Sequence, residues 1–175
     1  MEKTKKEWEN DFEDVTNALA GLETEANKQD VYVFTVKGKE NITSYCRQLL
    51  KGASQYVMIS MWNQMYELLL PELEECQNRG CKVFGVGHNL KNSVAQIEIH
   101  HDGKYHNMPE NLRWFIISAD GEKMLYGYSA EMDKDSFYTE DTSHIYLLED
   151  YMIHDMVVNR LVSDRENEEK LSSMM

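Results

Sequence analysis

The chain is poor in the residues that mark most specialised chemistries. Its three cysteines, Cys46, Cys76 and Cys81, are odd in number, and no pair has the C-x-x-C spacing of a redox or zinc motif. They read as reduced structural thiols of a cytoplasmic protein. No apolar run approaches the roughly 18 residues that a membrane span requires. The first residues are charged and lack the core of a signal peptide. There is no G-x-G-x-x-G and no P-loop, and Gly85-Val86-Gly87 is too short to replace either. No internal repeat or low-complexity segment is visible. Positive charge is scarce, with 18 Lys and Arg against 31 Asp and Glu and a net charge of −13. Residues 1–30 hold 4 basic and 9 acidic side chains, residues 31–130 hold 10 of each, and residues 131–175 hold 4 and 12. Binding to a phosphate backbone depends on Lys and Arg releasing counterions. With no basic stripe, this chain alone is expected to bind neither DNA nor RNA.

What is present is organised around Tyr56–His88. Val57–Met61 reads as a buried strand closed by Trp62-Asn63. Pro71 is expected in the first turn of a helix, where its missing N–H costs nothing. Glu72, Glu74 and Glu75 would follow it there and suit the positive end of the helix dipole. Arg79-Gly80 ends the helix, with Gly80 as a left-handed cap, and Lys82–Val86 gives a second strand. Two strands joined by so short a helical crossover pair in parallel. Such a sheet needs helices on both faces.

The remaining elements fall around this unit. In residues 3–29, Trp8, Phe12, Val15, Leu19, Leu22 and Ala26 repeat at spacings of 4 and 3, a heptad register. The stripe reads as a coiled-coil dimer helix over residues 1–30, or as an amphipathic helix lying on its own domain. An α/β body follows over residues 31–163. It comprises a strand at Val31–Val36, a helix at Glu40–Gly52, and strands at Val94–Ile99, Leu112–Ser118, Lys123–Ala130 and Phe137–Thr139. Asp120-Gly121 is a hairpin signal. Asp141-Thr142-Ser143 caps a last helix running to about Ser163. That helix is apolar on most sides and is expected to be buried on most sides. Residues 164–175 form a polar tail.

This order of pieces resembles a known family. The matching residues are Val31, Val33, Val36, Gly38, Asn41 and Ile42; Leu49, Leu50 and Ala53; Ile59 and Ser60; Glu72, Leu73, Arg79, Gly80, Lys82 and Val83; Asp120-Gly121; and Tyr151, His154 and Asp155. Together they are similar to the C-terminal effector-binding domain of TrmB-like transcriptional regulators of bacteria and archaea. The resemblance implies a phospholipase D-like α/β fold with a mixed, mostly parallel sheet flanked by helices. It also implies a homodimer formed through the N-terminal helix, with a small-molecule effector. The family's winged helix is missing here, so the chain is expected to be an excised regulatory domain or a stand-alone relative. The added C-terminal β-rich region of sugar-binding members is also missing, so a sugar ligand does not carry over.

Phospholipase D-like enzymes use H-x-K-x-x-x-x-D. The nearest match is His88-Asn89-Leu90-Lys91, in which the lysine stands one residue too far, on the other face of an extended backbone. The expectation is therefore no catalytic residue. His88 reads either as a loop residue without a role or as part of a pocket at the carboxyl end of the sheet, where open α/β folds bind ligands. His100, His101 and His106 read as a solvated loop cluster, because the adjacent pair points apart. His154 reads as a packed helix histidine. Neither a metal nor a cofactor is expected. By position, Ser60, Trp62, Asn63, His88, Asp120 and Glu131 should line the pocket. The reading is a non-catalytic, ligand-sensing and dimerising domain. Its rivals are a degenerate phosphodiesterase and an interaction module that heterodimerises with full-length regulators.

Overall fold

The computed structural model describes residues 33–100, 105, 107–129 and 134–162. The heptad stripe from Trp8 to Ala26, together with His101, His106, Glu131 and the polar tail, lies outside the described residues. The elements are β1 (Val33–Val36), α1 (Lys39–Gly52), β2 (Tyr56–Trp62), α2 (Asn63–Asn78), β3 (Lys82–His88) and β4 (Gln96–Ile99). A short 3-10 turn (Glu110–Leu112) precedes β5 (Trp114–Ala119), β6 (Lys123–Tyr128), β7 (Ser136–Thr139) and α3 (Thr142–Val162). The strands form one sheet in the order β1-β7-β6-β5-β2-β3-β4.

The crossover unit is parallel, with Ile59 opposite Gly85 and Trp62 opposite His88. β3 also pairs with β4 in parallel. The remaining four pairings are antiparallel. The sheet is therefore mixed but mostly antiparallel, which corrects the expectation of a mostly parallel one. The reason lies in the connections. Asp120 (φ 55°) and Gly121 (φ 68°) both take positive φ, and Glu122 N–H donates to Ala119 O at 3.1 Å. That is the tight turn which sends a chain straight back beside itself. Helical crossovers alone force parallel neighbours.

Side chains alternate across the sheet, and each face has its own cover. Val57, Ile59 and Met61 share a core with Ile42, Cys46, Leu49 and Leu50 of α1 and with Met65, Leu69, Leu73 and Cys76 of α2. Met58, Ile116 and Met124 turn to the other face and pack with Ile145 and Met152 of α3. The three thiols are free and buried. β2 and β3 approach closely at Gly85 (φ 140°), where an added Cβ would meet the Ile59 carbonyl oxygen.

Two helices depart from the expectations. α2 begins at Asn63, directly after β2, so Pro71 stands in the helix interior and not in its first turn. Glu72, Glu74 and Glu75 accordingly lie in its second half. Pro71 is exposed, as is Glu67, whose carbonyl loses its amide partner to the proline. α3 is capped as expected, with Asp141 Oδ1 accepting from Ser143 N–H at 2.9 Å. It is not buried on most sides, however. Ile145, Met152, Met156 and Asn159 are buried, whereas Tyr146, Leu147, Tyr151, Ile153, Val157, Val158 and Leu161 are exposed. The sheet covers one face of a helix that is apolar on two.

Candidate functional site

β2 and β3 run in parallel and end side by side, so Trp62 and His88 emerge together. His88 is the last residue of β3, not the start of a loop. Its ring stacks on Trp62, with centroids 5.2 Å apart and planes at 21°. His100 lies 4.6 Å away, Trp114 5.1 Å and Tyr105 5.7 Å, closing an aromatic box around the imidazole. Ser60 lies two residues before Trp62 on the same face and accepts a hydrogen bond from Trp114 Nε1 at 3.3 Å. The Arg113 guanidinium sits 5.0 Å from the Trp62 ring centre, while its Nε donates to Met108 O at 3.3 Å.

His88 has no exposed surface. Burial, followed by the neighbouring His100, lowers its pKa to about 4, and Asp155 pulls weakly the other way. The imidazole is therefore neutral near pH 7. His100 Nε2 lies 3.4 Å from Asp155 Oδ1, tying the end of β4 to α3. α3 is held further by Glu149, which accepts from Ser118 Oγ at 2.5 Å and from Tyr56 Oη at 3.1 Å. At its far end, Arg160 Nε donates to Glu98 Oε1 at 2.6 Å.

Where β2 gives way to α2, Trp62 Nε1, Asn63 Oδ1 and Gln64 Oε1 are buried and make no hydrogen bond among the described residues. No side chain caps this helix start. An N–H donor and two amide oxygens on three successive residues are thus left unsatisfied at a helix N-terminus, where β2 ends. Buried polar groups are costly unless something satisfies them.

Beside the aromatic box, on the α3 side of the sheet, a cleft of about 560 Å³ opens. Tyr105, Trp114, Tyr126, Tyr128, Phe137 and Tyr151 are among its lining residues. Its rings come from β5, from the alternate positions Tyr126 and Tyr128 of β6, from β7, from α3 and from Tyr105 between β4 and β5. The chain's apolar runs did not reveal it, because Trp114–Ile117 looked equally apolar on both faces. The two-residue spacing of Trp114 and Ile116, and of Tyr126 and Tyr128, was the available signal.

Of the residues expected in the pocket, Trp62 and His88 stack, Ser60 bonds the Trp114 that also meets His88, and Asn63 starts α2; none of the four lines the cleft. Asp120 does not join them. Because β5 is antiparallel to β2, the end of β5 meets the start of β2. There the Asp120 carboxylate accepts the backbone N–H groups of Ser54 (2.9 Å), Gln55 (2.8 Å) and Tyr56 (2.9 Å), and the Ser54 hydroxyl (3.1 Å). It borders a separate cavity of about 280 Å³ at the opposite end of the sheet. Among the described residues, no group of three or more His, Cys, Asp or Glu is placed to hold a metal ion.

Residues 32–157 match the family described as transcriptional regulator TrmB, EBD N-terminal subdomain. No curated protein matches. Among solved structures, the chain is similar to TrmBL2, an archaeal chromatin protein described as showing a novel mode of DNA binding, at 12% identity and a TM-score of 0.49. That match covers 85% of this chain, which spans 64% of the length of the TrmBL2 chain. It is also similar to NucT from Helicobacter pylori, at 14% identity and a TM-score of 0.53, over 71% of this chain and 93% of that one. At this identity the NucT likeness is one of fold.

Proposed function

The chain belongs to the TrmB family of transcriptional regulators, through the N-terminal subdomain of the effector-binding domain, and on that premise we propose that it is a regulatory, ligand-sensing domain without catalytic activity. One observation carries the reading: Trp62 Nε1, Asn63 Oδ1 and Gln64 Oε1 are buried and make no hydrogen bond among the described residues, where β2 passes at its carboxyl end into α2. Open α/β sheets bind ligands at this end. The apolar, aromatic cleft matches the general make-up of a small-molecule site, and Trp62 meets its Trp114 edge-on at 5.8 Å; the three unsatisfied atoms are themselves enclosed, so a ligand reaches them only if the start of α2 shifts. The sealed His88 argues against turnover, because a nucleophilic imidazole must reach its substrate and this one has no exposed surface.

Sensing would work by differential affinity. A ligand that prefers one arrangement of the box and cleft shifts the protein toward it. α3 contributes Tyr151 to the cleft and meets His100 through Asp155, so it is the element best placed to report the change. The phospholipase D-like layout, the homodimer through residues 1–30, the absence of nucleic-acid binding and a cytoplasmic location belong to the same proposal.

A thermal-shift panel of sugars, phosphates and small aromatic metabolites tests it. At least one compound is expected to raise the melting temperature by several degrees, as binding to the native state alone must. Asn63→Ala, folded by circular dichroism, should lose that gain. No stabilisation by any compound would count against sensing. Hydrolysis of bis(p-nitrophenyl) phosphate above background, abolished in His88→Ala, would establish the phosphodiesterase instead.

A further inference from the structure

The outward face of α3 carries Tyr146 (72% exposed), Leu147 (67%), Tyr151, Ile153, Val157, Val158 and Leu161 (54%). At 3.6 residues per turn these side chains share one continuous arc of about 160°. Their exposed surface amounts to something on the order of 700 Å², above the 300–600 Å² of a typical monomer's largest apolar patch. It also approaches the roughly 800 Å² that each partner contributes to a standard interface.

The charges identify the occupant. Glu149 and Asp155 of α3 turn inward and pair with Ser118 and Tyr56 and with His100, while Arg160, exposed at the edge of the arc, is engaged by Glu98. Within the exposed arc stand Asp150 and His154, one turn apart, with His154 Nδ1 4.0 Å from Asp150 Oδ2. Rotating a copy of α3 by a half-turn about an axis near residue 152 sets Asp150 against the copy's His154, and His154 against its Asp150. The same register sets Leu147 against Val157 of the copy, and Tyr146 against its Val158. A parallel pairing would oppose Asp150 with itself. The face is thus self-complementary in the way a two-fold interface requires. It is also nearly free of the acidic charge that makes two copies of a −13 chain repel.

We propose that the exposed face of α3 is an interface between two copies of this chain, packed antiparallel about residue 152. It is distinct from the heptad stripe of residues 1–30 and needs no ligand, so it stands or fails apart from the sensing proposal. The full chain carrying Leu147→Cys and Val157→Cys, oxidised with glutathione disulfide at about 50 μM, is expected to give a covalent dimer. The two sites lie about 15 Å apart along one helix, beyond the roughly 7 Å Cα separation that a disulfide spans, so the link must join two chains. The three native thiols are buried, so the unsubstituted chain should not link. Asp150→Lys in this background should lower the yield several-fold, and adding His154→Asp should restore it by reversing the pair. No covalent dimer, whether because the face stays bare or because the chain's own residues 1–30 cover it, overturns the proposal. So does linkage through Leu147→Cys alone at equal yield, which indicates a parallel pairing.

Discussion

At the scale of single residues, His88 and Asp120 are both titratable, and the fold uses them in opposite ways. His88 is held neutral. Its pKa falls from 6.5 to about 4 on folding, chiefly through burial. Its contribution is fully present above the unfolded pKa and is lost as pH falls from 6.5 toward 4, because the unfolded chain then binds a proton the folded one refuses. That loss is on the order of 3 kcal/mol, at about 1.4 kcal/mol per pKa unit. His88→Gln should give a visibly flatter stability profile between pH 7 and pH 4, followed by urea denaturation. Asp120 is held ionised. Burial raises its pKa, but hydrogen bonds from Ser54, Tyr56 and Gln55 outweigh burial and set it below the usual value. Its stabilisation is therefore present above the unfolded pKa and lost as pH falls through the lower folded one. Asp120→Ala should cost about 1–3 kcal/mol at pH 7, by leaving three backbone donors without their acceptor. The gap to wild type should close below about pH 4. A gap that stays constant with pH would show that the carboxylate's charge is not what matters. Sequence alone presented both residues as pocket candidates. It could not tell a sealed imidazole from an open one, nor show which end of the sheet the hairpin reaches.

Among the elements, α2 carries a proline in its interior. Pro71 lies nine residues into the helix on the exposed face. An interior proline costs up to about 3 kcal/mol relative to alanine. Pro71→Ala should therefore raise the urea midpoint, with an unchanged m-value if the fold is preserved. A lowered midpoint would mean that the proline shapes a bend the packing of Leu69 and Leu73 depends on. The misplaced helix start has a simple cause. Trp62-Asn63 resembled the end of a strand followed by a loop, whereas the chain passes from β2 into α2 with no linker. α3 shows the reverse case. Its near-continuous apolar pattern was plain in the sequence, but a pattern names apolar faces without saying what covers them. One face met the sheet, and the other is turned outward.

For the whole molecule, the charge distribution makes the sharpest prediction. Non-specific binding of duplex DNA typically has dissociation constants of 10⁻⁴ to 10⁻⁶ M and depends on cationic contacts. With no basic stripe, this chain should leave the anisotropy of a labelled duplex unchanged at about 10 μM in 0.1 M salt. Binding with a steep salt dependence would refute that. The sequence by itself determined the family, the mixed α/β class, the crossover unit Tyr56–His88, the Asp120-Gly121 turn and the Asp141 cap. The family rests on a resemblance in the order of short motifs along the chain; the others rest on local spacing and on backbone preferences of a few residues. Tertiary structure alone decided that four of six strand pairings run antiparallel, that His88 is enclosed by rings from four separate segments, and that Asp120 faces away from it. The physical reason is that strand order and burial arise from contacts between residues tens of positions apart. No local pattern of apolar and polar side chains encodes which partner will arrive.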